Sequence, residues 1–150
     1  MSLPFNVRIY GILIENGSVL VSDEFHFGKQ ITKFPGGGLQ FGEGTVQGLK
    51  REFMEELQLE INITSHFYTV DFFQQSAFNN EHQVISIYYL IEKAVPLQIE
   101  VSTSGKPEVE EKNGAQSFRW ISLDKISADD FTFPIDKRVA EMLAENFQGS

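Results

Sequence analysis

Cysteine is absent from the chain, which excludes both a disulfide framework and a thiolate zinc site. Basic residues are scarce. There are 12 lysines and arginines against 21 aspartates and glutamates, for a formal net charge of -9. That balance opposes non-specific binding to nucleic acid or to an anionic membrane. An anionic small molecule stays open, because a local cation and a few basic side chains suffice to hold one. No apolar run approaches the roughly 18 residues of a membrane span, and no basic-then-apolar leader is present. The expectation is a cytoplasmic protein with neither a nucleic-acid nor a membrane partner. The histidines, His26, His66 and His82, have no ligand-like spacing and read as ordinary surface or edge residues.

At 150 residues, the chain reads as one domain, residues 1–150, long enough to bury a core. Phe5 to Ile14 is an apolar, β-branched run closed by the turn dipeptide Asn16-Gly17, and Val19 to Val21 reads as the returning strand. Ile31 to Phe34 is a short strand running into Pro35 and three glycines. A helix is expected from Thr45 to about Gln58. Its apolar positions Val46, Leu49, Phe53 and Leu57 recur at helical spacing. Ile61 to Gln75, Gln83 to Glu92 and Ser117 to Ile121 read as strands, and Ser122-Leu123-Asp124 as the start of a helical turn. Pro134 to Phe147 reads as an amphipathic helix, and Ser102 to Gly114 as a surface loop. Strands and helices in this order imply an α/β protein, a mixed sheet with a helix on each face.

Three glutamates are candidates for chemistry, although taken alone they read more readily as a solvated charged face. Glu52, Glu55 and Glu56 stand at i, i+3 and i+4, so on a helix their carboxylates share one face within about one turn. Such crowding destabilises an isolated helix by a few tenths of a kcal/mol. A hard divalent cation converts the repulsion into ligation, because Mg²⁺ takes oxygen ligands from one or two carboxylates and from substrate phosphates. Glu52, as a carboxylate within hydrogen-bond reach, can also accept the proton of an attacking water. Gly36, Gly37 and Gly38 let the backbone turn sharply and approach a ligand closely.

Gly37, Glu43 and the run Arg51-Glu52-Phe53-Met54-Glu55-Glu56, ending at Leu59, resemble the Nudix box, G-x5-E-x7-R-E-U-x-E-E-x-G-U. One prescribed position departs, with Gln58 in place of the late glycine. The resemblance implies an α/β/α sandwich with a mixed sheet between helices. It implies a hydrolase dependent on Mg²⁺ or Mn²⁺ that acts on a nucleoside diphosphate linked to another group. It also implies the site. Glu56, Glu52 and Glu55 bind metal with the backbone near Gly37, Arg51 orients a carboxylate, and Glu43 supports the helix. Some relatives draw their base from a loop outside the box, for which Glu108, Glu110 and Glu111 are candidates, Glu111 foremost. Phe72 and Phe78, near the stretch that faces substrate in the family, and Arg8 are candidate substrate contacts. Core packing is the blander role for any one of Phe72, Phe73 and Phe78.

No proline follows the box before Pro96 and no tyrosine stands in Phe73-Gln74-Gln75-Ser76, which leans away from the ADP-ribose and dinucleoside polyphosphate subgroups. The NADH-type pattern is absent as well. A nucleoside triphosphate or a nucleotide sugar stays open. The alternative is a non-catalytic nucleotide-binding or regulatory module, although such relatives usually lose box carboxylates that are complete here. An allylic diphosphate isomerase needs a cysteine. A homodimer is left open.

Overall fold

The computed structural model of the chain describes residues 4–148. Strand β1 runs Phe5–Glu15, β2 Ser18–His26, β3 Lys29–Lys33 and β4 Gly36–Gly38. Helix α1, Thr45–Leu57, is followed by β5, Ile61–Thr69, β6, Gln83–Lys93, and β7, Gln116–Ser122. A 3₁₀ turn, Ala128–Asp130, precedes helix α2, Pro134–Gln148. The strands form a mixed sheet accompanied by two α-helices, the α/β class expected from the sequence. The chain divides into two compact units.

The first unit holds the residues through Ile12 and Gly36–Ile99. In it β1 pairs antiparallel with β4, Ile9 opposite Gly37 and Arg8 opposite Gly38. β5 pairs antiparallel with β6, with two register shifts. Helix α1 buries Gly48, Leu49, Phe53 and Leu57. A side chain at Gly48 would stand 2.7 Å from Ile9, and one at Gly11 would stand 2.8 Å from the Phe53 ring. These contacts fix α1 over the odd-numbered face of β1, because successive strand residues point to opposite faces. The even face carries Arg8, Tyr10 and, stacked on Tyr10 at 5.1 Å, Tyr88. Val46 does not join the core as its spacing suggested. It is exposed, and Gly48 takes the buried place because its lack of a side chain permits close approach.

The second unit holds Leu13–Pro35 and the residues from Glu100 onward. The Asn16-Gly17 turn joins β1 to β2 with both residues at positive φ, 50° and 76°, as a two-residue hairpin turn requires. β2 continues to His26, well beyond the expected Val21, and pairs with both β3 and β7. The extension passes through Ser22, Asp23 and Glu24, all buried. Their polar groups are matched. Arg119 donates to Asp23 at 2.7 Å, Thr32 to Asp23 at 2.6 Å, and Lys33 pairs with Glu24 at 3.2 Å. Burial pushes the Glu24 carboxyl up, but the Lys33 charge and hydrogen bonds with His26 and Ser22 outweigh it and leave it below its ordinary range. Helix α2 buries Ile135, Val139, Ala140 and Leu143.

One expected strand is shorter. β5 ends at Thr69 rather than Gln75, and beyond it the pairing thins to a bridge between Gln75 and Gln83 with a few backbone hydrogen bonds around it, such as Val70 N–H to the Ser86 carbonyl. A turn forms at Ser122 as expected, closed by the Lys125 N–H donating to the Ser122 carbonyl at 3.1 Å, and a 3₁₀ turn follows at Ala128–Asp130, capped by the Ser127 hydroxyl.

Candidate active site

The site of the first unit begins with the loop before α1. Glu43 accepts the Gln40 N–H at 2.9 Å and two hydrogen bonds from Arg51, at 2.9 and 2.6 Å. The Arg51 hydrogen bonds, with that of Gln40, hold the Glu43 carboxyl down to about 2. Arg51 is made more basic than an ordinary guanidinium, chiefly by the hydrogen bond with Glu43. Arg51 also donates to the Gly38 carbonyl at 3.0 Å. Its remaining nitrogen, Nη1, lies 3.0 Å from Glu52 and 3.2 Å from Glu55. One guanidinium therefore ties three carboxylates and the glycine strand together, a use of the planar fork that lysine cannot reproduce.

Glu52 is lodged against Gly37. A side chain at residue 37 would place its first carbon 2.6 Å from the Glu52 carboxyl carbon and 2.7 Å from both oxygens. Gly37 thus supplies the space that the carboxylate fills. Glu56 is half-buried and its Oε2 is shut off from solvent, whereas Glu55 is exposed. Among the described residues no three acidic or imidazole groups stand close enough to close a metal cage as they lie. A hard cation does not need one, since Mg²⁺ keeps waters and is often bound through one or two carboxylates plus substrate phosphates. The donor set, carboxylates of Glu52, Glu55 and Glu56 beside the backbone of Gly37, fits such an ion. Glu52 and Glu55 already converge on one cationic nitrogen.

The other sequence candidates fall as follows. Arg8 stands opposite Gly38, whose side chain would lie 3.7 Å from its Nη1. Phe72 and Phe78 are exposed in the β5–β6 connection, at 41% and 61%, as is Phe73, so none of them is a core residue. Their stretch, Asp71 to Asn80, is too polar to be covered. Glu108, Glu110 and Glu111 are exposed in the second unit, and Glu108 accepts the Ser117 hydroxyl through its carbonyl. Two contacts escaped the sequence reading. They are the Arg51 hydrogen bond to the Gly38 carbonyl and the 2.6 Å bond from Arg8 to the Tyr10 hydroxyl. The second was accessible from strand alternation, which puts Arg8 and Tyr10 on one face.

The family model described as NUDIX domain matches residues 4–143, and the chain belongs to that family of hydrolases. No curated protein matches the sequence. Solved structures share the fold. The ORF135 protein of E. coli aligns with a TM-score of 0.71 at 17% identity, covering 96% of this chain and 92% of that one. A NUDIX hydrolase from Nitrosomonas europaea gives 0.69 at 19%, covering 95% and 90%. A Streptococcus suis protein described as an ADP-ribose pyrophosphatase gives 0.61 at 16%, covering 99% and 94%. Nudix hydrolases generally use a divalent metal and act on small nucleoside diphosphate derivatives. No helix among the described residues is long and apolar enough to cross a membrane.

Proposed function

We propose that this chain, acting as a single domain in the cytoplasm, hydrolyses a nucleoside diphosphate linked to another group, with Mg²⁺ or Mn²⁺, by attack of water on phosphorus. The observation that carries the reading is the Glu52 carboxylate filling the space beside Gly37 while Arg51 joins Glu43, Glu52 and Glu55. Glu56, Glu52, Glu55 and the backbone of Gly37 hold the cation. When bound, a divalent cation acidifies the attacking water and neutralises phosphoryl oxygens. Glu52 takes the proton. A new P–O bond forms from water, the bridging P–O bond breaks, and the electron pair leaves with the departing phosphate. Arg51 holds Glu52 and Glu55 in place, which lowers the cost of orienting them at each turnover. Phe72 and Phe78 are exposed stacking faces for the base.

The test is a screen of nucleoside diphosphate derivatives with Mg²⁺ or Mn²⁺, reading phosphate or nucleotide release. Glu56→Gln runs beside the wild type. The expected result is cation-dependent release that falls about 10³-fold in the variant. Equal turnover by the variant contradicts the assignment. Binding without turnover of any derivative by the wild type favours the non-catalytic module.

A further inference from the structure

Strand β7 pairs with β2 through its odd-numbered residues. Leu123 donates to the Gly17 carbonyl at 2.8 Å, Phe25 donates to the Ala115 carbonyl at 3.0 Å, and the register between these ends is unbroken. The N–H and C=O groups of the even residues therefore point to the opposite edge. There the chain at Ser102 runs parallel to β7 and fills one rung of a ladder. Ser102 donates to the Phe118 carbonyl at 3.0 Å and accepts the Trp120 N–H at 3.0 Å. At the next rung, residue 104 would donate to the Trp120 carbonyl and accept the Ser122 N–H. The chain turns off first, because the Ser104 N–H goes to the Ser102 hydroxyl at 3.2 Å. The Trp120 carbonyl and the Ser122 N–H are left without a partner among the described residues. A cleft of about 690 Å³ opens there, lined among others by Ser104, Trp120, Ser122 and Lys125, and it lies wholly in the second unit.

An open rung is a template for one more strand. Gln116–Ser122 contains neither lysine nor proline, the residues that most often blunt an edge. Charge narrows what can approach. Glu15 and Asp130 line the cleft, and the exposed Asp124 and Asp129 flank it in sequence. Against these four carboxylates stands one lysine, Lys125, because the Arg119 guanidinium is bound to Asp23 at 2.7 Å. A second copy of the chain, itself at -9, would be repelled. A segment with basic side chains is attracted.

We propose that the β7 edge at Trp120 and Ser122 docks an extended, basic segment of a partner protein. One residue of that segment takes the rung that residue 104 leaves open, donating to the Trp120 carbonyl and accepting the Ser122 N–H. Its own side chain shares the face of Ile121. The side chains before and after it point to the other face, which Trp120 and Ser122 share with Ser18 and Glu15. Basic residues at those two positions, around an apolar one, fit the site.

The probe is the capped peptide acetyl-Lys-Val-Lys-Val-Lys-amide, with its glutamate counterpart as control, added to the full chain. Trp120 is the only tryptophan in the sequence, so its emission reports on the cleft directly. The lysine peptide should change that emission saturably, and the glutamate peptide should not. Ser122→Pro removes the edge N–H and should weaken the lysine peptide about tenfold, the scale of a lost hydrogen bond that leaves its acceptor unmatched. Ser122→Ala keeps the N–H, loses only the hydroxyl that accepts the Asp124 N–H, and should bind as the wild type does. A second measurement needs no variant to fold. By NMR of the wild-type chain, the Ser122 amide should exchange rapidly with solvent alone and become protected with the lysine peptide. Four results overturn the proposal: no saturable response to the lysine peptide, equal binding of the two peptides, wild-type binding by folded Ser122→Pro, or a Ser122 amide whose protection the peptide does not change. An amide already protected in the peptide-free chain is a case of the last, and shows the rung filled from within.

Discussion

Replacing Gly37 with alanine should disable the site while sparing the fold. The added carbon would stand 2.6 Å from the Glu52 carboxyl carbon. Ordinary contact between carbons is about 3.5 Å, so the carboxylate must retreat by about 0.9 Å. Gly37 does not lie at positive φ, so alanine meets no backbone penalty there. The side chain that must move is the partly exposed end of a glutamate, and the stability cost should stay at the low end of overpacking, about 1 kcal/mol. Catalysis is far less tolerant, since a misplacement of about 1 Å costs on the order of a hundredfold in rate. The neighbouring position is the internal control. A side chain at Gly38 would meet only Arg8, at 3.7 Å, an ordinary contact. The assay is kcat on a confirmed diphosphate substrate, beside the thermal midpoint of each variant. The expected pattern is a drop of about a hundredfold in Gly37→Ala and less than about threefold in Gly38→Ala, both folded. Wild-type kcat in Gly37→Ala would refute the claim that this space places a reacting carboxylate.

Three further outcomes are expected. Arg51→Lys should lower kcat about tenfold or more, because an ammonium cannot serve Glu43, Glu52, Glu55 and the Gly38 carbonyl together; kinetics on the purified variant checks it. Gln58 ends α1 at φ 50° and hydrogen-bonds the Glu55 carbonyl. Gln58→Gly should remove about 1 kcal/mol of left-handed strain and lose part of that gain with the bond. A thermal midpoint unchanged or higher by about 1–2 °C, with full activity, is the outcome expected by melting and assay. The Glu24 carboxyl lies below its ordinary value in the folded chain, so its contribution is complete above that value, 4.5, and is lost as pH falls through it toward the depressed one. Glu24→Gln should cost about 3 kcal/mol near neutrality by removing the carboxylate that faces the buried Lys33 ammonium, and its urea midpoint should fall less steeply than the wild type's below pH 4.5.

Local signals were legible where the sequence and its nearest neighbours decide the conformation. The Asn16-Gly17 turn, the span of α1 and the shared face of Glu52 and Glu55 are of this kind. Readings failed where a distant residue decides. Ser22-Asp23-Glu24 does not look like a buried strand, because the groups that make its burial tolerable, Arg119 and Lys33, belong to other strands. Val46 fits the apolar spacing of α1, but Gly48 packs closer, and a hydropathy pattern cannot register an absent side chain. The phenylalanines of the β5–β6 connection look like core by composition, yet are exposed because the polar residues around them cannot be buried. The bracing of Arg8 by Tyr10 shows in strand parity only once β1 is known to present its even residues away from α1.

The position of bond cleavage tests the hydrolytic mechanism most directly. Turnover of a confirmed substrate in oxygen-18 water, followed by mass spectrometry of the products, should place the label on a phosphate. A substrate with a single phosphate should not react. Label found only on the carbon of the leaving group would mean that a C–O bond is cut, and water attack on phosphorus at the Glu52–Glu56 site would have to be withdrawn.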